Sequence, residues 1–336
     1  MDGVLIRRFS YLPPHMQHLV YGWGFINNLK RNPLYSLELP PLILSFTLTA
    51  IKRSRYCDLI HAHWLLSGFI GLLVKTVTGK PLVITVHGSD VRGTPKAITK
   101  FILSRADEVI SPHPEITDIL ADLGLSFTEI LNPVDDEKIK SGDPHKVRLE
   151  FGLNGYFVVL FLARLDEFKD PLSLITSASA VKNDMRFLIV GDGPLRKQAE
   201  DLAKELNVAD KVVFTGFRSD IPDILASSDL YVALSPTENI WSVSLVEAMT
   251  ASKPCVVTKS GRTTDMLKHK QDAYLVDPSN PSEIAKALDE LFEDEQLRAL
   301  LGRNAMVRVS AFSKKSVVSN VIALYNRLLS QAHSRY

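Results

Sequence analysis

"RFLIVGDGPLRKQAEDLAKELNVADKVVFTGF", residues 186–217, contains one complete unit of the fold. Residues 186–190 are a short, continuous apolar run, which reads as a strand buried on both faces. Gly191-Asp192-Gly193-Pro194 follows. The glycines permit a tight turn and close backbone approach, and Pro194 suits a helix start. A helix is expected over 195–206 and a second strand at 211–214. The same alternation extends in both directions. Further strands are expected at 156–163, 229–234, 254–258 and 273–276, with helices near 171–182, 219–227, 243–251 and 281–309. The first half repeats the pattern. Its strands are expected at 4–9, 58–63, 81–86, 107–112 and 127–131, with helices near 17–30, 40–54, 65–78, 95–105 and 115–123. Apolar strands separated by helices imply parallel sheets covered on both faces. The turn-rich stretch "DDEKIKSGDPHK" (135–146) reads as a linker. The expected fold class is α/β, with two domains joined near 135–153. Open parallel sheets bind ligands at the carboxyl ends of their strands, so a site is expected in the cleft between the two domains.

Bulk properties narrow the function classes. A chain of 336 residues with 23% charged side chains suits two globular domains. Cys57 and Cys255 lie far apart in sequence, which suits neither a disulfide framework nor a zinc site and points to a reducing compartment. The N-terminus has no signal-peptide pattern. The longest apolar runs, 39–51 and 64–74, fall short of the ~20 residues needed to span a bilayer and read as buried or interfacial helices. Residues 1–105 carry 13 Lys/Arg against 4 Asp/Glu. With "KRSR" (52–55) following the run 39–51, that balance suits a helix lying on a membrane surface. The alternative is an ordinary solvated basic face. No interleaving of basic and aromatic residues supports nucleic-acid binding.

The residues after each strand carry the candidate chemistry. Arg164 and Lys169 follow the strand 156–163 and could converge on a diphosphate, or be two solvated loop cations. Gly191 begins a loop that resembles the start of a dinucleotide fingerprint, but Arg196 occupies the third glycine position and the match fails. His87 ends the strand 81–86, where a lone histidine is more often structural. His61 and His63 are spaced for a metal but lack a third ligand, and no Asp-x-Asp pair is present, so no metal is expected. "SPTENIWSVSLVEAM" (235–249) places Glu238 in a loop and Glu247 in the helix that starts near Ser242. That helix would turn its free N–H groups toward a phosphate or sugar.

Together these stretches resemble the family 4 retaining glycosyltransferases, which have two Rossmann-like domains facing a cleft (the GT-B fold). The resemblance covers about residues 4–331. It is carried by "DLIHAHW", "VITVHGSD", "ILNPVD", "ARLDEFKDP", "LIVGDGPLRKQAEDLAKEL", "VVFTGF" and the stretch ending in "SLVEAM". It implies an N-terminal acceptor-side domain over 1–135, a linker over 136–153, a nucleotide-sugar domain over 154–312 and a C-terminal helix over 313–336 returning to the N-terminal domain. It assigns Arg164 and Lys169 to the donor diphosphate and Glu247 to the ribose. Gly191 joins the donor site. Phe217 and Arg218 would sit near the base. Asn239, Ile240, Trp241, Ser242, Val243 and Ser244 would offer backbone amides, and His87 would lie beside the transferred sugar.

The chain departs from the family pattern twice. Two glutamates eight positions apart are usual. Here Asn239 stands eight before Glu247 and Glu238 nine before it, so either a one-residue bulge restores Glu238 or Asn239 takes its place. Ile240 and Ser242 stand where glycines are usual. Members usually begin with a β-α-β unit before "DGVLIRRFSYLP", and that unit is expected to be missing. A late start codon, a decayed gene or a partner filling the gap would each account for it. The implied activity is transfer of a hexose-type sugar from a nucleotide-diphosphate donor to a hydroxyl with retention, in cell-surface polysaccharide or glycolipid synthesis, without a cofactor. The expected location is the cytoplasm or the inner membrane face, with a saccharide or lipid-linked acceptor. The alternatives are an inactive sugar-nucleotide-binding subunit and a nucleotide-sugar epimerase.

Overall fold

The structure, a computed structural model, describes residues 4–21, 25–112, 114–236 and 242–333. It divides into two compact units, Met1–Ile130 with Asn320–Tyr336, and Leu131–Ser319.

The first unit holds four parallel strands: β1 (Ile60–His63), β2 (Leu82–Thr85), β3 (Glu108–Ser111) and β4 (Thr128–Glu129), in the order β1-β2-β3-β4. Ile84, Val86 and Val109 pack with Leu65, Leu72, Ile102 and Leu120 from the connecting helices. The second unit holds six: β5 (Phe157–Leu162), β6 (Met185–Val190), β7 (Val212–Gly216), β8 (Leu230–Ala233), β9 (Cys255–Thr258) and β10 (Tyr274–Val276). Their order is β10-β9-β8-β5-β6-β7, and all pairings are parallel. The order reverses beside β5, and such a switch point is where an open sheet leaves a crevice. Val158, Leu160, Leu188 and Val190 pack on one face with Leu245 and Met249. Val159, Phe161, Phe187 and Ile189 pack on the other with Leu174, Ala199 and Leu288. Both faces are buried, which is why these strands read as unbroken apolar runs. The expected α/β class with two parallel sheets is the observed one.

Several elements differ from expectation. Residues 4–9 form no strand, and Val4, Leu5 and Ile6 are exposed. Their β-forming composition has no effect without a paired neighbour, and none of the described strands pairs with them. The helix expected over 17–30 is Phe25–Arg31. The long helix expected over 281–309 is two, Pro281–Glu293 and Glu295–Arg308. Asp294 separates them, and its side chain accepts from Leu297 N at 2.8 Å, starting the second helix anew. Residues 136–153 carry helices Asp136–Lys140 and Pro144–Glu150, whose Ile139 and Val147 are buried in the second unit's core. Helical structure runs on from Pro33 to Ser54, 22 residues that are long and apolar enough to cross a membrane, with 11% of the most apolar window buried. The sequence estimate was shorter because Glu38 interrupts the apolar run. Tyr11 Oη and the backbone N–H of Leu19 hydrogen-bond its carboxylate, at 2.7 and 3.0 Å. The last helix is Lys314–His333, and the division between the units falls within it.

Candidate active site

In the second unit, the carboxyl ends of β5, β6 and β7 and the helix Val243–Thr250 after β8 surround a cavity of about 600 Å³. Arg164, Lys169, Gly191, Phe217, Arg218, Val243, Ser244 and Glu247 all line it. Residues spread over more than eighty positions meet there because parallel crossovers deliver every strand end to the same side.

Two interlocked loops fix the arrangement. Leu165 is fully buried between Arg164 and Asp166 and anchors the first loop to the core. Its N–H donates to Asp192 O at 3.0 Å, and its carbonyl accepts from Leu195 N at 2.9 Å. Gly191 has φ +132°, and a Cβ there would lie 1.9 Å from Ala163 O. A Cβ on Gly193 would lie 2.3 Å from Leu165 O. Both glycines are therefore required by close backbone approach. The Arg164 side chain is 71% exposed, with its Nε 3.4 Å from Asp166 Oδ2. The loop after β8 is tied to the same loop, since Ser235 Oγ donates to Phe168 O at 2.8 Å.

Ser242 caps the helix Val243–Thr250, its Oγ accepting from Leu245 N at 3.3 Å. Ser244 Oγ receives the Tyr231 hydroxyl at 3.0 Å. Tyr231 is buried in the sheet, so the helix start is pinned to the core. Glu247 lies one turn further in and is half-buried. Burial pushes its pKa up, and the Lys138 cation opposes this. Phe217 is 83% exposed at the rim. Arg218 is not a free cation. Its guanidinium bonds both Glu150 oxygens, at 2.5 and 2.8 Å, and both Asp220 oxygens, at 2.9 and 2.6 Å. It thus shapes the cavity and adds little net charge. Glu238, Asn239, Ile240 and Trp241 lie outside the described residues.

His87 belongs to the first unit. It follows β2, and its Nε2 lies 3.0 Å from His63 Nδ1. His63 stacks on His61 with ring centroids 4.5 Å apart. His61 Nε2 meets Thr85 Oγ1 at 2.7 Å, and its Nδ1 meets the Tyr325 hydroxyl at 2.5 Å. Burial, and then the neighbouring imidazoles His63 and His87, pull the His61 pKa down to about 4. Among the described residues, no group of three or more His, Cys, Asp or Glu side chains could hold a metal ion. A prediction follows from the sign of the His61 shift. Between its ordinary value near 6.5 and about 4, the unfolded state binds the proton and the folded state does not. Stability is expected to fall as pH drops through that window, and His61→Asn to flatten the fall. Melting temperatures from pH 7 to pH 4 check this.

A family model described as glycosyl transferases group 1 matches residues 148–308, and one described as Glycosyltransferase Family 4 matches residues 8–138. The chain is a glycosyltransferase of the GT-B fold. The N-acetyl-alpha-D-glucosaminyl L-malate synthase of Bacillus anthracis is 24% identical over 333 residues, covering 94% of this glycosyltransferase and 87% of that protein. The UDP-Gal:alpha-D-GlcNAc-diphosphoundecaprenol alpha-1,3-galactosyltransferase of Escherichia coli is 27% identical over 326 residues, covering 90% and 82%. The crystal structure of Anabaena HepE in complex with UDP and glucose aligns with a TM-score of 0.75 at 23% identity, over 92% of this chain and 90% of that one. At that identity the likeness is one of fold.

Sequence reasoning missed two groups in the glycosyltransferase's site. Lys138 acts on Glu247 from a distant helix, and no spacing pattern links them. Asp166 stands beside Arg164 and has one buried oxygen without a hydrogen-bond partner. A carboxylate two residues from a candidate phosphate ligand was the available signal.

Proposed function

We propose that the enzyme transfers a hexose-type sugar from a nucleotide-diphosphate donor to a hydroxyl of a saccharide or lipid-linked acceptor, with retention of anomeric configuration and without a cofactor. The convergence of Arg164, Lys169, the helix start at Val243 and Glu247 on one cavity carries this reading. Arg164 and Lys169 hold the diphosphate. The free N–H groups at Val243 and Ser244 add partial positive charge. The Glu247 carboxylate accepts the ribose hydroxyls, and Phe217 lies beside the base. When the bond from the anomeric carbon to the distal phosphate oxygen breaks, negative charge grows on the departing diphosphate. These preorganised groups stabilise that charge more than they stabilise the ground state. The acceptor oxygen forms the new bond, and its proton leaves with the diphosphate. His87, from the first unit, acts on the transferred sugar. The names of the relatives, with UDP-Gal and a diphosphoundecaprenol-linked sugar in one and UDP with glucose in another, support the donor class and the glycolipid or polysaccharide setting.

The enzyme acts in the cytoplasm at the inner membrane face. This rests on an exposed stripe of Leu37, Leu44 and Leu48 that leads into Lys52, Arg53 and Arg55.

Thermal stabilisation by a panel of UDP-, GDP- and ADP-sugars tests the donor site. A rise with one nucleotide is expected, and a cooperative melt that no donor shifts would sink the reading. Donor conversion without any acceptor would favour an epimerase instead.

Glu247 supplies a second check. Its raised pKa means that its contribution to stability is lost as pH rises through the folded value, so the ionised carboxylate is a burden on the unliganded fold at neutral pH. Glu247→Gln is expected to raise the melting temperature at pH 7 while weakening nucleotide binding roughly 10- to 100-fold, the loss of one charge-assisted bond. Scanning and titration calorimetry read the two effects separately.

A further inference from the structure

Trp64 stands at the carboxyl end of β1 with φ 72° and ψ 152°, a conformation almost confined to glycine. A bulky aromatic residue persists there because its surroundings over-determine it. Its N–H donates to Thr85 O at 3.0 Å, and its carbonyl accepts from Gly68 N at 2.9 Å. The next N–H, of Leu65, donates to Asp90 Oδ2 at 2.9 Å, and Asp90 Oδ1 accepts from His87 N at 2.9 Å. One carboxylate therefore straps together the two loops that carry Trp64 and His87. The consequence of the strained backbone is a ring contact. The Trp64 indole stacks on the His87 imidazole, with centroids 4.8 Å apart and planes 29° apart, while remaining 47% exposed. A further constraint on that imidazole comes from His63, whose Nδ1 lies 3.0 Å from His87 Nε2.

We propose that Trp64 and His63 are positioning residues for His87, the indole fixing the plane of its ring and the His63 imidazole fixing which nitrogen carries the proton. A core-packing role does not account for Trp64, because nearly half of it is exposed and a glycine would fit its backbone without strain. Two neutral imidazoles joined by one hydrogen bond need one donor and one acceptor, so the tautomers of His63 and His87 are set together. His61, held by Thr85 and Tyr325, backs His63 on its far side. The charged and titratable groups facing His87 are then His63 and Asp90, with His61 and Tyr325 behind. Burial and His63 push the His87 pKa down, and Asp90 pushes it up. The role in turnover rests on the proposed action of His87 on the transferred sugar.

The test uses the full chain and two readouts. The ring nitrogens of His87 are followed by NMR across pH, assigned with His87→Ala. UDP-glucose is the turnover probe, with water standing in for the acceptor. In Trp64→Gly the His87 midpoint is expected to rise toward that of an ordinary imidazole, and UDP-glucose turnover to fall tenfold or more with UDP affinity unchanged. The melting temperature should hold or rise, since glycine relieves the strain. Trp64→Phe restores both readouts, and His63→Phe loses the tautomer signature while keeping a stacked ring. An unchanged His87 titration and ring signature in Trp64→Gly overturns the proposal whatever the turnover. So does an altered titration with unchanged turnover when His87→Ala is inactive. Full turnover in His87→Ala would instead remove His87 from the chemistry. That failure belongs to the proposed function, and the NMR readout still decides whether the clamp exists.

Discussion

Replacing Arg164 and Lys169 together by alanine is expected to cut kcat/KM about a hundred- to ten-thousandfold while leaving the fold intact. On the proposed function, each cation offers a charge-assisted hydrogen bond to the donor diphosphate, worth about 1.5–3 kcal/mol when removed. Two such bonds give about 3–6 kcal/mol, and each 1.36 kcal/mol is a factor of about ten. The fold should tolerate the change. Arg164 is 71% exposed, and its contact with the largely buried Asp166 is long, at 3.4 Å. Salt should weaken donor binding in the wild type, and weaken it less in the double variant, since screening acts on the charges that were removed. Steady-state kinetics and titration calorimetry at low and high salt measure both effects. Unchanged donor affinity in a well-folded double variant would mean that these cations do not hold the phosphates.

Gly191→Ala should be the most damaging single change in stability. A methyl group there would lie 1.9 Å from Ala163 O, against backbone rather than a side chain that could rotate away, and φ +132° is itself unfavourable for alanine. Strain of about 1–3 kcal/mol and overpacking of about 1–3 kcal/mol both apply. Relief requires the Gly191 loop to move off β5, which breaks the Leu165 N to Asp192 O and Leu195 N to Leu165 O bonds. The expected loss is about 2–6 kcal/mol, or roughly 10 °C in melting temperature at about 2–4 °C per kcal/mol. Donor binding should fall with it, because Gly191 lines the cavity and its loop is hydrogen-bonded to the loop that carries Arg164. Denaturant unfolding of Gly191→Ala, with Ala163→Gly as a control that leaves the clashing carbonyl in place, checks the mechanism. A wild-type midpoint in Gly191→Ala would show that the two loops are not packed as described.

That the candidate residues meet at one cavity was largely legible in the sequence, because a parallel sheet turns chain order into geometry. Once 156–163, 186–190 and 211–214 are read as strands joined by crossovers, Arg164, Lys169, Gly191 and Phe217 must emerge on one side. The helix after β8 adds Glu247 by the same rule. The strand signal itself came from burial on both faces, which leaves runs such as "YFVVLFLA" without a polar residue. The signal failed at 4–9, where none of the described strands pairs with the segment. It also failed at 281–309, where the apolar period continues across a break that one capping aspartate decides.

By itself, then, the sequence determined the alternation of strands and helices and the side of the sheet to which the candidate ligand groups belong. Both follow from local periodicity and a fixed crossover hand. The tertiary structure alone decided what those groups touch. Arg218 reads as a residue near the base until Glu150 and Asp220 close on it. His87 reads as a lone histidine until His63 and Trp64 meet it and Tyr325 arrives from the last helix to hold His61. Such contacts join residues far apart in the chain and repeat with no period. Their energy depends on distance and burial, which only the folded chain sets.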